Sequence, residues 1–232
     1  MSSSQSDTSP LADQEPVYQG QFGPFSITPS DRFGVWVYRL ALNGAALSFA
    51  LGTAIVLWGG TNFAALQGAS LCYGLFWVCL GVALANIHIY LIALHRLLQV
   101  FWLVGGGASL WIALRQRDPF LLYVYQHPIA ILGVGFTFVA LTGIFFKEGF
   151  CFRRWETQLL TPIVPGLLLG HLFGLLPSSL EQGGVILWAA LFVIFGFNKF
   201  RQPIPGDIGD KSVFEYLKNP KTGNTAEPGA TQ

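Results

Sequence analysis

No Asp, Glu, Lys or Arg lies between Arg39 and Arg96, and from Arg96 to Phe197 there are ten, most of them clustered at the ends of apolar runs. A stretch that long cannot be the surface of a soluble domain, where about a quarter of residues are charged. Here charged residues make up 11% of 232, hydrophobic ones 52%, and mean hydropathy is +0.51. In lipid every backbone N–H and C=O must be paired within the protein, so each long apolar run has to be a helix. A span needs about 20 such residues. The runs predict an all-α polytopic membrane protein with six spans, at about 35–58, 69–94, 97–114, 125–146, 159–176 and 182–200.

The tails are different. Residues 1–16 are rich in Ser, Asp and Pro and read as disordered. The first 31 residues hold four acids and no Lys or Arg, so they resemble neither a secretory signal nor a transit peptide. Residues 1–27 are therefore expected to be an N-terminal cytoplasmic tail of a bacterial protein. Thr28-Pro29-Ser30-Asp31 has the order of a helix start: a hydroxyl cap, a proline in the first helical position and an acid three residues after the cap. After Asn198 the chain is expected to leave the membrane, and 199–232 forms a second cytoplasmic tail. Within it 211–219 reads as a short helix lying flat on the membrane surface.

The positions of the cations orient the chain. If the N-terminus is cytoplasmic, then Arg32, Arg39, Arg96, Lys147, Arg153, Arg154, Lys199, Arg201, Lys211, Lys218 and Lys221 all fall inside, and Arg115 and Arg117 fall outside. Cytoplasmic loops carry the excess of Lys and Arg, so both termini are expected in the cytoplasm. A formal charge of +1 speaks against a nucleic-acid partner.

Motifs then connect the chain to known sequences. The lead-in VYQGQFGP, the turn NIHIYLIALHR, the segment YQHP, the island KEGFCFRRWE and the tail PIPGDIGDKSVFEY resemble a family of uncharacterised integral membrane proteins of cyanobacteria and plastids. The resemblance runs from about Val17 to Tyr216. It implies a thylakoid or plasma-membrane location and a role beside photosynthetic membranes; it brings no activity, cofactor or catalytic residue.

Within the runs the candidate residues are few. Gly74, Gly81, His88 and His95 recur every seven positions, which would place them on one face of the second span. Gly166, Gly170 and Gly174 form a doubled small-x-x-x-small pattern in the fifth. Polar groups in lipid need partners, so Asn86, His88, His95, His127 and His171 are the intramembrane candidates. They serve either as interhelical hydrogen bonds or as ligands. With His88 toward the inner face and His171 toward the outer, their depths differ by about 13 Å and one haem iron cannot take both. His127 with His171 stays open, so haem is possible while no cofactor is predicted.

No acid appears deep in a span; Glu148 is nearest, at an inner end. Buried carboxylates are common in coupled transporters, so their apparent scarcity, with no H-E-x-x-H, G-x-S-x-G or phosphate loop, points away from transport and catalysis. The island supplies Lys147, Glu148, Phe150, Phe152, Arg153, Arg154 and Trp155 as a cytoplasmic-face loop able to contact anionic lipid or a membrane-protein partner. The expected function is a non-catalytic accessory or assembly factor for a membrane complex. The alternatives are a haem or pigment carrier using His127 and His171, and a small-molecule transporter with a path past Asn86 and His88.

Overall fold

The computed structural model describes residues 17–19, 24–89, 91–204 and 208, which fall into two units. The first comprises the chain up to Phe33 together with the segment from Ile204 onward. In it β1 (Val17–Gln19) pairs antiparallel with β2 (Pro24–Ser26), Tyr18 opposite Phe25. The expected helix start follows. Asp31 Oδ2 accepts from the Thr28 backbone N–H (3.0 Å) and hydroxyl (2.7 Å), and Thr28 Oγ1 accepts from the Asp31 N–H (3.3 Å). The surface helix expected at 211–219 lies outside the described residues.

The second unit, Gly34–Pro203, is a helical bundle. Its elements are α1 (Pro29–Gly59, which begins in the first unit), α2 (Phe63–Asn86), α3 (Ile92–Arg115), α4 (Phe120–Gln126), α5 (Ile131–Phe152), α6 (Trp155–Leu172) and α7 (Ser178–Arg201). A 3₁₀ turn, Pro128–Ala130, joins α4 to α5. Five helices are long and apolar enough to cross a membrane; α6 is not among them. Leucines such as Leu47, Leu51, Leu71, Leu103 and Leu110 lie exposed on the helix flanks, the reverse of a soluble surface.

Three helix boundaries depart from the sequence expectation, each for a local reason. The second span ends at Asn86 rather than 94. Ile87 and Ile89 are buried while His88 between them is half-buried, the period-two pattern of extended chain, which β-branched residues favour. His88 and His95 are therefore not on one helix face with Gly74 and Gly81. Pro128 cannot donate within a helix and restricts the residue before it, so His127 breaks the fourth run into α4 and α5. The charged island is not a loop: α5 continues to Phe152, and the chain reverses through Arg153 and Arg154 alone. Arg153 takes the left-handed conformation (φ 48°) that lets a helix stop in one residue.

The helices alternate in direction. Gly44 packs on Cys79 and Gly52 on Cys72, pairing α1 antiparallel with α2. Trp77 and Trp102 stack at 4.3 Å, and each indole N–H donates to the other's backbone carbonyl (3.1 and 2.9 Å). Each ring covers the glycine four residues past its partner, Gly81 or Gly106. Gly105 meets the Thr137 backbone and Gly143 meets Leu98, which sets α5 antiparallel to α3. The packing glycines expected from the sequence need correction. Gly81 and Gly170 do make close contacts, but Gly74 and Gly166 are exposed and face open space. Gly174 lies beyond the end of α6, in a turn whose positive φ (64°) suits glycine.

Aromatic rings fill the middle of the bundle. Phe120, Tyr73, Phe138, Trp188, Phe49, Phe192, Phe145 and Phe195 touch in succession, with adjacent centroids 4.3 to 6.4 Å apart. The chain of rings draws on α1, α2, α4, α5 and α7.

Candidate functional site

The charged side chains that the apolar runs contain gather at the two ends of the bundle, while between them the Tyr73 hydroxyl pairs with those of Ser109 (2.7 Å) and Thr137 (3.3 Å). At one end, α5 places Glu148 in its last turns with no exposed surface. Isolated, a buried carboxylate would be too costly to keep ionised. Its Oε2 accepts from Lys199 Nζ of α7 (2.7 Å), and its Oε1 accepts from Tyr38 Oη of α1 (3.0 Å) and Lys147 Nζ (3.1 Å). Phe152, one turn on, presents its ring to both ammonium groups, at 4.0 Å from Lys199 and 5.1 Å from Lys147. Three helices are thus tied through one carboxylate with both oxygens satisfied.

Residue 198 reaches a second acid. Asn198 Nδ2 donates to Oε1 of Glu156, which sits fully buried in the first turn of α6. Arg154 Nη2 is 3.3 Å from the same oxygen, but its N–H is not aimed there, so the contact is an ion pair without a hydrogen bond. Glu156 Oε2 and Arg154 Nε have no hydrogen-bond partner among the described residues. Arg39 is buried as well. It donates to the carbonyls of Phe200 (3.4 Å) and Pro203 (3.0 Å), capping the end of α7, where helical donors run out.

At the opposite end, His171 of α6 lies between two acceptors. Nδ1 is 2.7 Å from Glu181 Oε1 on α7 and Nε2 is 3.0 Å from the Tyr125 carbonyl on α4. Tyr125 stacks on the ring (4.8 Å), and its hydroxyl donates to Glu181 Oε2 (3.3 Å). A carbonyl and a carboxylate only accept. Both ring nitrogens thus stand at acceptors and are engaged within the bundle. His127 is elsewhere occupied, exposed and stacked on Tyr123 (4.2 Å) with Nδ1 at the Tyr123 carbonyl (3.0 Å).

The remaining candidates have local partners. Asn86 Nδ2 donates to Val82 O of its own helix (2.8 Å). His95, in the first turn of α3, donates from Nε2 to Leu84 O (2.6 Å) and so fastens the α2–α3 turn. His88 lies in that turn. Among the described residues no three His, Cys, Asp or Glu side chains are grouped to hold a metal ion.

Of the island residues, Lys147, Glu148 and Phe152 meet in one cluster. Arg154 stands beside Glu156, while Phe150, Arg153 and Trp155 stay exposed. Between α5 and α6 a groove of about 240 Å³ is lined by Phe146, Gly149, Phe150, Gln158, Thr161 and Pro162. Sequence reading missed Tyr38, Asn198, Lys199 and Glu181 as members of these clusters. It placed no acid deep in a span, with Glu148 nearest at an inner end, and did not anticipate that Glu148 and Glu156 are both completely buried. A usable signal existed: Lys147 directly precedes Glu148, Arg154 lies two residues before Glu156, and both acids lie within five residues of the turn that joins α5 to α6.

Comparison with known proteins agrees with this architecture. A protein of Haemophilus influenzae, described as an uncharacterised protein, is 30% identical over 135 residues, covering 56% of this chain and 67% of that one. No solved structure matches the chain. The family model for uncharacterised integral membrane proteins, DUF2301, matches residues 82–216, more than half of the chain. That span holds Glu148, Glu156, His171, Glu181, Asn198 and Lys199 but not Tyr38 or Arg39. The chain belongs to this family of integral membrane proteins.

Proposed function

We propose that the chain crosses the bilayer six times with both termini in the cytoplasm and acts as a non-catalytic accessory or stabilising component of a membrane complex. The sixth span is α6. Its 18 residues make about 27 Å, close to the thickness of the hydrocarbon core. Its polar start, Glu156 and Gln158, and its two prolines lower its hydropathy, but its neighbours supply the partners. Glu156 meets Asn198 at one end of α7 and His171 meets Glu181 at the other, so α6 runs the length of a helix that spans. Orientation follows from the basic end, which carries Arg39, Arg96, Lys147, Arg153, Arg154, Lys199 and Arg201 against Arg115 and Arg117 opposite.

The observation that carries the functional reading is the aromatic filling of the bundle. Solute paths need a lined cavity, and catalysis needs convergent polar groups on one. Here linked rings occupy the middle, the hydroxyls of Tyr73, Ser109 and Thr137 there pair with one another, and the charged clusters sit apart at the two ends. The buried acids Glu148 and Glu156 are the features a transporter reading would use, but both stand at one end and Glu148 is fully neutralised by its neighbours. The phototroph setting, thylakoid or plasma membrane, rests on the motif resemblance. A relative in Haemophilus influenzae supports a setting wider than phototrophs for chains of this kind.

The test is native electrophoresis of the tagged full chain from a mild detergent, with a visible spectrum of the same sample. The reading expects migration in an assembly well above the 25.4 kDa of the chain, and loss or destabilisation of that assembly's other members in a deletion strain. Migration alone, with every membrane complex intact in the deletion strain, overturns it. A Soret band would move the assignment to the haem carrier.

A further inference from the structure

We infer that the α5–α6 groove is a binding site for one anionic phospholipid of the cytoplasmic leaflet, its phosphate at Arg153 and an acyl chain lying along Phe150 and Phe146. The inference rests on the proposed orientation, which puts this end of the bundle in the anionic leaflet, and not on the accessory role.

The groove has the layout of a lipid in sequence order. At its upper end is the two-residue turn. Arg153 there is exposed, and Trp155 beside it is exposed as well, an arrangement suited to the headgroup level, where indoles and guanidinium groups settle. About one turn deeper is the exposed amide of Gln158, at the level of the glycerol esters, whose carbonyls accept hydrogen bonds. About two turns deeper are Phe146 and Pro162. Phe146 and Phe150 stack loosely at 6.3 Å and stay exposed, so the protein itself does not cover this wall. Gly149 forms the floor where α5 and α6 approach closely: a side chain there would stand 3.0 Å from Thr157 Oγ1. Pro162 adds a flat apolar surface opposite.

Charge selects the occupant. The seven basic residues of this end outnumber its two buried acids, Glu148 and Glu156, and those acids are already held by Lys147, Lys199, Asn198 and Arg154. Arg153 has no carboxylate in reach among the described residues. It also occupies a left-handed backbone position that glycine would fill without strain. A cation retained at a strained site, over an uncovered apolar groove, is matched by an amphiphile with one negative charge.

The experiment is native mass spectrometry of the full chain in mild detergent, offered phosphatidylglycerol and phosphatidylcholine in equal amounts. The inference expects preferential retention of phosphatidylglycerol. In Arg153→Gln that preference should fall about fivefold, the worth of one basic contact at a membrane surface, while Arg153→Lys keeps most of it. Arg117→Gln, at the other end, should leave it unchanged, and Phe150→Ala should weaken retention of both lipids. Equal retention of the two lipids by the native chain overturns the inference whatever the variants do. So does an undiminished preference in Arg153→Gln. Displacement of the lipid by millimolar inorganic phosphate would also overturn it, since the site would then belong to soluble phosphate. Because the chain is purified and alone, a negative result leaves the accessory role standing, and loss of that role leaves the lipid site standing.

Discussion

At the scale of single residues, Glu148 decides how the basic end holds together. A buried ion pair contributes little net stability, but removing one partner leaves the other charge buried and unpaired, at about 3–5 kcal/mol. Glu148→Leu and Lys199→Met are each expected to lower thermal stability in detergent by that order. The double variant should cost clearly less than the two added together, because the one charge it leaves without its carboxylate, Lys147, is partly exposed. Additive losses would show that the pair is not coupled. Arg153 gives the opposite sign. Its left-handed backbone costs about 1–2 kcal/mol that glycine avoids, so Arg153→Gly should raise the unfolding temperature slightly while abolishing lipid preference. A drop in stability would mean that the Arg153 side chain itself holds the turn.

At the scale of helices, contact with glycine marks where two backbones approach. Gly105 lies against the backbone of Thr137, which cannot yield as a flexible side chain can. Gly105→Ala is expected to cost about 1–3 kcal/mol by overpacking the α3–α5 seam. Gly74→Ala and Gly166→Ala meet open space and should be neutral or gain up to about 1 kcal/mol of helix propensity. Thermal melts of the three variants rank them, and equal losses at all three would refute the seam. The same contrast shows how far sequence reading reaches. The Thr28-Pro29-Ser30-Asp31 start was legible because its hydrogen bonds are local. Glycine spacing was not enough: periodicity places Gly74 and Gly166 on a face, but it cannot say which face meets a neighbour and which meets lipid. Hydropathy likewise missed the α2 end, because Ile87, His88 and Ile89 are as apolar in an extended segment as in a helix. It also placed the island outside the helices, since charge usually leaves lipid, and only Lys199, fifty-one residues away, reveals why Glu148 can stay inside.

At the scale of the whole molecule, the account depends on α6. Five helices qualify as spans by length and composition alone, and an odd number would put the two termini on opposite sides. The positive-inside pattern, the alternation of helix directions and the contacts at both ends of α7 support the sixth crossing proposed above. The lipid site and the cytoplasmic placement of the Glu148 cluster both follow from that count. The direct measurement is labelling of single cysteines, in a chain with Cys72, Cys79 and Cys151 replaced, by a membrane-impermeant thiol reagent. In intact cells Ser179→Cys, exposed at the start of α7, should react from outside, and Ser3→Cys and Thr231→Cys should react only after lysis. If the Ser3 and Thr231 positions react from opposite sides, α6 does not cross; if both react in intact cells, the orientation is inverted, and either result contradicts the account.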